Sequence, residues 1–141
     1  MTISMLDELR GARALITKRI NWTVKVRQRH LPNGGIAFCA LGALDEMMIG
    51  EDCKFVHRDL RPSIQLLAEM IPNSPLGIKI KEECIGGPPG WEYPWWVSRY
   101  NNRSTHAEVL AWFDAAIARQ ETIESLLEPV VEEIQKEMEM V

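Results

Sequence analysis

Apolar residues first recur at helical spacing between Ser4 and Ile20, at Met5, Leu9, Ala12, Ile16 and Ile20, with Arg10, Arg13, Lys18 and Arg19 mostly off that stripe. Ser4 and Asp7 stand as a capping pair at its start. The period then changes. Trp22, Val24 and Val26 alternate with Thr23, Lys25 and Arg27, which predicts a half-buried strand over 21–29 with a basic outer face. Pro32-Asn33-Gly34-Gly35 is a turn signal, and a partner strand is expected from Ile36. Ala37, Leu41, Leu44 and Met48 return to helical spacing, flanked by Ala40 and Met47, so a short helix here is apolar nearly all round and must be buried. Gly42 inside it costs about 1 kcal/mol relative to alanine, a cost usually accepted where another backbone comes close.

A polar connection over 50–59 leads to Arg61-Pro62, which opens a helix striped by Ile64, Leu67, Ala68 and Ile71 and ended by Pro72. In the irregular stretch 73–99, Ile78 and Ile80 alternate with Lys79 and Lys81, suggesting a short strand. Gly86 to Trp96 holds three Pro and three Gly and reads as a non-helical loop. Its Trp91, Tyr93, Trp95 and Trp96 are too apolar to stay in solvent, so the loop packs on the body or is covered by a partner.

A polar turn at Tyr100-Asn101-Asn102-Arg103-Ser104 precedes a capping box of Thr105 and Glu108, which puts His106 at the first helical position. Beyond it, Val109, Ala116, Ile123 and Val130 are spaced by sevens, and so are Phe113, Gln120, Leu127, Ile134 and Val141. This is a coiled-coil-like seam with one polar interruption. Pro129 lies within it and should kink or split the helix. The expectation is one helix over 105–120 and another ending near 138, with a bend at 121–129. Together these elements predict a mainly α fold: a compact helical domain of four to five helices, a small β-hairpin or sheet and a Pro/Trp-rich loop. Residues 1–141 form one domain, with 1–120 as the core and 121–141 as an acidic C-terminal helix.

At 141 residues the chain is long enough to bury a core without metals or disulfides. Cys39, Cys53 and Cys84 are odd in number and contain no C-x-x-C pair, which points to a reducing compartment. No window is apolar enough to cross a membrane, and the start lacks a signal-peptide pattern, so bacterial cytoplasm is the expected location. Net charge is −4 but uneven: residues 1–30 hold seven Lys/Arg against Asp7 and Glu8, while residues 120–141 hold seven Glu against Lys136. Such polarity suits solvated faces or an acidic helix docking on a basic partner.

The motifs give little catalytic chemistry. Only Cys53 and His57 approach metal-ligand spacing; His30 and His106 stand apart, and neither a metal nor another cofactor is expected. His57-Arg58-Asp59-Leu60 starts like a kinase catalytic loop but has Ile64 where Asn is needed. No catalytic residue is assigned. The candidates are binding residues: Trp91, Tyr93, Trp95 and Trp96 with Arg99 and Arg103, which have the composition of an interface hot spot. Glu121, Glu124, Glu128, Glu132 and Glu133 line the acidic helix. Arg103 and His106 are the two residues near the capping box that the pattern leaves without a structural role.

Two motifs carry a resemblance: Phe38-Cys39-Ala40-Leu41-Gly42-Ala43-Leu44, and Tyr100-Asn101-Asn102 followed by Thr105-His106-Ala107-Glu108-Val109-Leu110. Over about residues 5–118 the chain resembles a small bacterial and phage family of unknown function, with a Cys-x-x-Gly-Ala helix and an aromatic-Asn-Asp turn before a Thr-x-x-Glu-Val-Leu helix. Asn21-Trp22 and Asn102 depart from the Gly-Trp and Asp of that pattern. The resemblance implies a bacterial, prophage or phage context and no activity. The expected function is accordingly non-enzymatic: a phage or mobile-element accessory protein that binds another protein, inhibition of a host-defence complex being one version. The alternatives are self-association through Val109, Phe113, Ala116, Ile123, Leu127, Val130 and Ile134, or a small-ligand or enzyme site around Asn102, Arg103, Thr105 and His106. Nucleic acid is a minor candidate partner.

Overall fold

The computed structural model describes residues 3–51, 58–84 and 87–140. The first helix, α1 (Met5–Leu15), is capped by the Ser4 hydroxyl, which accepts from the Asp7 N–H at 3.1 Å. Leu9, Ala12 and the following Ile16 are fully buried. The helix stops short of the predicted Ile20: the Thr17 hydroxyl donates back to the Arg13 carbonyl at 2.9 Å, and the chain tightens into a 3₁₀ turn at Arg19–Asn21. Ile20 consequently points outward.

The strand expected over 21–29 is much shorter. Only Gln28–His30 (β1) pairs, antiparallel to Ile36–Phe38 (β2), while Trp22 forms an isolated parallel bridge with Phe38. Lys25, at φ 70°, breaks the extended path, so residues 23–27 arch outward. Backbone bonds from the Thr23 N–H to the Phe38 carbonyl (3.0 Å) and from the Cys39 N–H to the Arg27 carbonyl (3.1 Å) pin both feet of the arch. The buried helix α2 (Ala40–Met47) follows. The close approach expected at Gly42 is made by the arch: a Cβ there would overlap the Arg27 carbonyl oxygen.

Helix α3 (Pro62–Glu69) has Pro62 in its first turn, as the sequence indicates. The Ile78/Ile80 alternation is not a strand. Ser74 caps a helix, α4 (Pro75–Glu83), by accepting from the Gly77 N–H at 3.1 Å, with Pro75 where a missing N–H costs nothing. Ile80 is buried and Ile78 exposed, as a helical rather than a two-residue period requires. The loop expected up to Trp96 is also largely helical: α5 spans Glu92–Arg103, and Pro94 sits in its first turn, where the N–H has no helical acceptor. Tyr100 to Arg103 are therefore the last turn of a helix rather than a free turn. Six helices result among the described residues, two of them in the stretch that gave the weakest pattern.

The last helix, α6 (His106–Glu139), is continuous. Its capping box is complete: the Glu108 N–H donates to the Thr105 hydroxyl at 3.1 Å, and the Thr105 N–H to the Glu108 carboxylate at 2.9 Å. The break expected at 121–129 is absent. Pro129 stays in the helix because its surroundings are exposed, so solvent can take up the carbonyl it leaves unbonded. Helix α6 packs on α1 and α3, and α5 on α2, α3 and α4. The core they share is centred on Leu9, Leu44, Leu67, Val97, Trp112 and Phe113.

Candidate functional surfaces

Helix α5 carries two different faces. Its inner face buries Pro94, Val97, Tyr100 and Asn101. The Asn101 side chain is the polar centre of the core. Its Oδ1 accepts from the Trp22 indole at 2.9 Å and from the Ala40 N–H at 3.1 Å, and its amide donates to the Thr23 carbonyl at 3.1 Å. One side chain thus ties the arch and the start of α2 to α5. Tyr93 and Trp96 also pack inward, edge to face at 5.5 Å, and the Lys81 ammonium lies 5.6 Å from the Trp96 ring centre.

The outer face follows the spacing Trp91, Trp95, Ser98, Asn102, with Arg99 and Arg103 alongside. It forms one wall of an open groove of about 630 Å³, whose other walls are Lys25, Val26 and Arg27 of the arch, Cys39 and Leu41 of the α2 start, and Asp59. Trp91 and Trp95 are 39% and 59% exposed, and the Arg99 guanidinium sits 5.5 Å from the Trp95 ring centre. Arg99 and Arg103 both reach back to Glu83 of α4, at 2.8 and 3.1 Å. Chiefly through Arg103, they hold the Glu83 carboxyl below the usual carboxylate range. Arg27 is bonded to Asp59 at 2.9 Å and to Asp45; burial opposes its charge, but the two carboxylates leave it more firmly protonated than a free arginine. The Lys25 ammonium has no ion-pair partner among the described residues; its backbone N–H donates to Asn102 Oδ1 at 2.7 Å. Burial pushes the Cys39 thiol up, the reverse of what a nucleophile needs.

Arg103 and His106, left without a role by the pattern, both have one. Arg103 shares Glu83 with Arg99. His106 Nε2 lies 2.7 Å from the Ile16 carbonyl oxygen, so this nitrogen carries the proton, and the imidazole rests 5.5 Å from the Trp22 ring. The start of α6 is thereby tied to the end of α1. Asn102 and Arg103 line the groove, while Thr105 and His106 serve the cap and this tie. His106 is not among the residues that line the groove with Trp91 and Trp95.

The second surface is the far half of α6. The expected seam divides there: Val109, Phe113 and Ala116 lie in the domain's own core, whereas Ile123 is half-buried and Leu127, Val130 and Ile134 are about half exposed. Leu126 and Met138 are more exposed still, at 71% and 72%. Glu121 pairs with Arg10 at 3.3 Å; Glu124, Glu128, Glu132 and Glu133 have no ion pair among the described residues. No group of three potential metal ligands occurs among the described residues, and Cys53 and His57 lie outside them. No described helix is long and apolar enough to cross a membrane. The groove walls contributed by the arch, Leu41, Ser98 and Asp59 escaped sequence reasoning. The one signal available was the three-to-four-residue spacing from Trp91 to Asn102, which the prolines obscured.

The chain belongs to the DUF6197 family, a family of unknown function whose model matches residues 2–119. This bears out the resemblance carried by the Cys39–Leu44 and Tyr100–Leu110 motifs. No curated protein matches the chain, and no solved structure does. The match ends four residues before Ile123, beyond which every described residue of α6 is exposed.

Proposed function

We propose that the protein is a non-enzymatic binding module that docks on another protein through residues 120–139 of α6. The observation that supports this is the apolar stripe of Leu126, Leu127, Val130, Val131, Ile134 and Met138, each between 48% and 72% exposed on the part of α6 beyond Ile123, where every described residue is exposed. Covering the exposed half of one such side chain stabilises a complex by roughly 1 kcal/mol. Charge argues for the kind of occupant. Two of these segments side by side would set seven glutamates against seven, which disfavours pairing with a second copy. An apolar groove with a basic rim is complementary to both features. A phage or mobile-element setting, with a host-defence complex as target, is the concrete form suggested by size, acidity and the family resemblance.

The test is photocrosslinking in the native host from a reactive residue placed at Leu127 or Val130. The crosslinked partner should be lost when Glu124, Glu128, Glu132 and Glu133 are all changed to Lys. It should also be lost when Leu126 and Ile134 are changed to Asp. Crosslinking that survives the charge reversal overturns the reading. So does a dimer in light scattering that dissociates when the chain is stopped after residue 120, which would favour self-association.

A further inference from the structure

We propose that the groove between α5 and the 23–27 arch is a second, independent binding site, for a small ligand that carries a flat ring and an anionic group, either phosphate or carboxylate. Its volume, about 630 Å³, lies within the range of small-molecule sites. Its lining combines two exposed indoles with cations from two elements. Lys25, Arg27, Arg99 and Arg103 line it against a single carboxylate, Asp59; the other carboxylates that hold these arginines, Asp45 and Glu83, are not among the lining residues. Glu83 fixes the two α5 guanidinia from behind, so their orientation is set before a ligand arrives. An anion entering the groove meets preorganised donors, and charge-assisted bonds of this kind are roughly twice as strong as neutral ones.

The aromatic half is Trp95. Arg99 lies against its ring and the side chain is still 59% exposed, so a face or edge remains for a second flat group. Stacking on an aromatic side chain suits any planar ring, because every such ring has a π-face. Lys25 supplies the remaining observation. A non-glycine residue at φ 70° is held in a strained backbone region that glycine would occupy freely. The strained residue lines the groove with its backbone N–H bonded to Asn102, and its ammonium has no ion-pair partner among the described residues. None of these residues belongs to α6, so the site does not depend on the docking segment.

Nitrogen-15 NMR of the full chain tests this, because each of the five tryptophans gives its own indole signal. The probes are adenosine 5′-monophosphate for a ring with phosphate, benzoate for a ring with carboxylate, and adenosine and inorganic phosphate as the separate halves. At least one of the two ring anions should shift the Trp95 indole and Lys25 amide saturably below about 10 mM, and each half alone should bind about tenfold more weakly. Which ring anion binds decides between phosphate and carboxylate. Lys25→Gly and Trp95→Ala, both at exposed positions, should each weaken binding about tenfold while the other amide signals keep their positions. The chain stopped after residue 120 should bind unchanged. Absence of a saturable shift with either ring anion overturns the proposal. So does equal binding by inorganic phosphate alone, or unaltered affinity in Lys25→Gly.

Discussion

Replacing Asn101 with alanine should be among the most damaging single changes in this chain. The side chain is fully buried and serves three partners on two other segments: the Trp22 indole, the Ala40 N–H and the Thr23 carbonyl. Trp22 is only half-buried, so water can replace Asn101 at its indole. Ala40 and Thr23 are buried, and a buried group stripped of its partner costs about 1–3 kcal/mol. Two such groups and the small void left behind give an expected loss of about 3–5 kcal/mol, a large fraction of the roughly 5–15 kcal/mol that keeps an ordinary domain folded. Urea unfolding followed by far-UV circular dichroism measures it, with an unchanged slope showing that the native state is still reached.

Asn101→Asp separates hydrogen bonding from shape. One oxygen still accepts from Trp22 and Ala40, but the other now faces the Thr23 carbonyl. Only a protonated carboxyl can donate there, so the folded state raises its pKa above the unfolded value of about 3.9. A raised folded pKa means that the folded state binds the proton more tightly. The deficit of this variant relative to the parent should therefore shrink as the pH falls from 7 towards 4, and widen as the pH rises through the folded pKa. A loss under about 1 kcal/mol for Asn101→Ala, or a deficit for Asn101→Asp that is independent of pH, would refute this account of the core.

Gly42→Ala and Gly11→Ala should differ although both glycines are helical. At Gly42 the new methyl meets the backbone carbonyl of Arg27, while at Gly11 it meets the flexible end of Met47; thermal unfolding should show a loss of about 3 kcal/mol or more for the first and under about 1.5 for the second. Glu8→Ala strips the buried Arg61 of its 3.0 Å partner, leaving Asp45 and the Arg58 carbonyl, and should cost about 3 kcal/mol in urea, whereas Glu8→Leu combined with Arg61→Met should come close to neutral. Glu83, with its pKa depressed mainly by Arg103, contributes stability that is present above its unfolded pKa and lost as the pH falls through its folded value; carboxyl NMR titration should find its midpoint below that of a glutamate in an unfolded peptide, and Glu83→Gln should abolish the acid-dependent release of the Arg99 and Arg103 side chains.

The sequence was most legible where one physical cause acted alone. Apolar spacing at Leu9–Ile16 and Leu41–Leu44 and the Thr105–Glu108 box depend on residues within a turn or two of each other, while Gly42 announces a close approach by its residue type alone, although Arg27, which makes it, is distant in sequence. Failures came where a residue has two meanings. Pro94 forbids a helix interior but suits a first turn, and only the position of the helix start decides which applies. Lys25 looks like part of an alternating strand until its left-handed backbone is known. Asn101 has the composition of a turn residue, and nothing local reveals that its three partners are 61 to 79 positions away. The groove was invisible for the same reason: its walls come from 25–27, 39–41, 59 and 91–103, and no spacing rule connects them.

Asn101 and Asn102 also show how one helix can serve fold and surface together. Consecutive helical residues are about 100° apart around the axis, so Asn101 enters the core while Asn102 lies at the groove and holds Lys25. The arch is thereby tied at two adjacent points, through its Thr23 carbonyl to the core amide and through the Lys25 N–H to the surface one. Loosening the first should be felt mainly in stability. Loosening the second should be felt mainly in where the Lys25 side chain is held. Asn102→Ala is expected to lower stability by about 1 kcal/mol, chiefly through the exposed bond from the Lys25 N–H, the Asn101 amide reaching the same oxygen only at 3.5 Å. Yet it should weaken binding of the ring anion nearly as much as Lys25→Gly, because an untethered arch no longer presents its ammonium to the groove. If Asn102→Ala leaves that affinity unchanged, Lys25 is held by the core contacts alone and the second tie has no part in recognition.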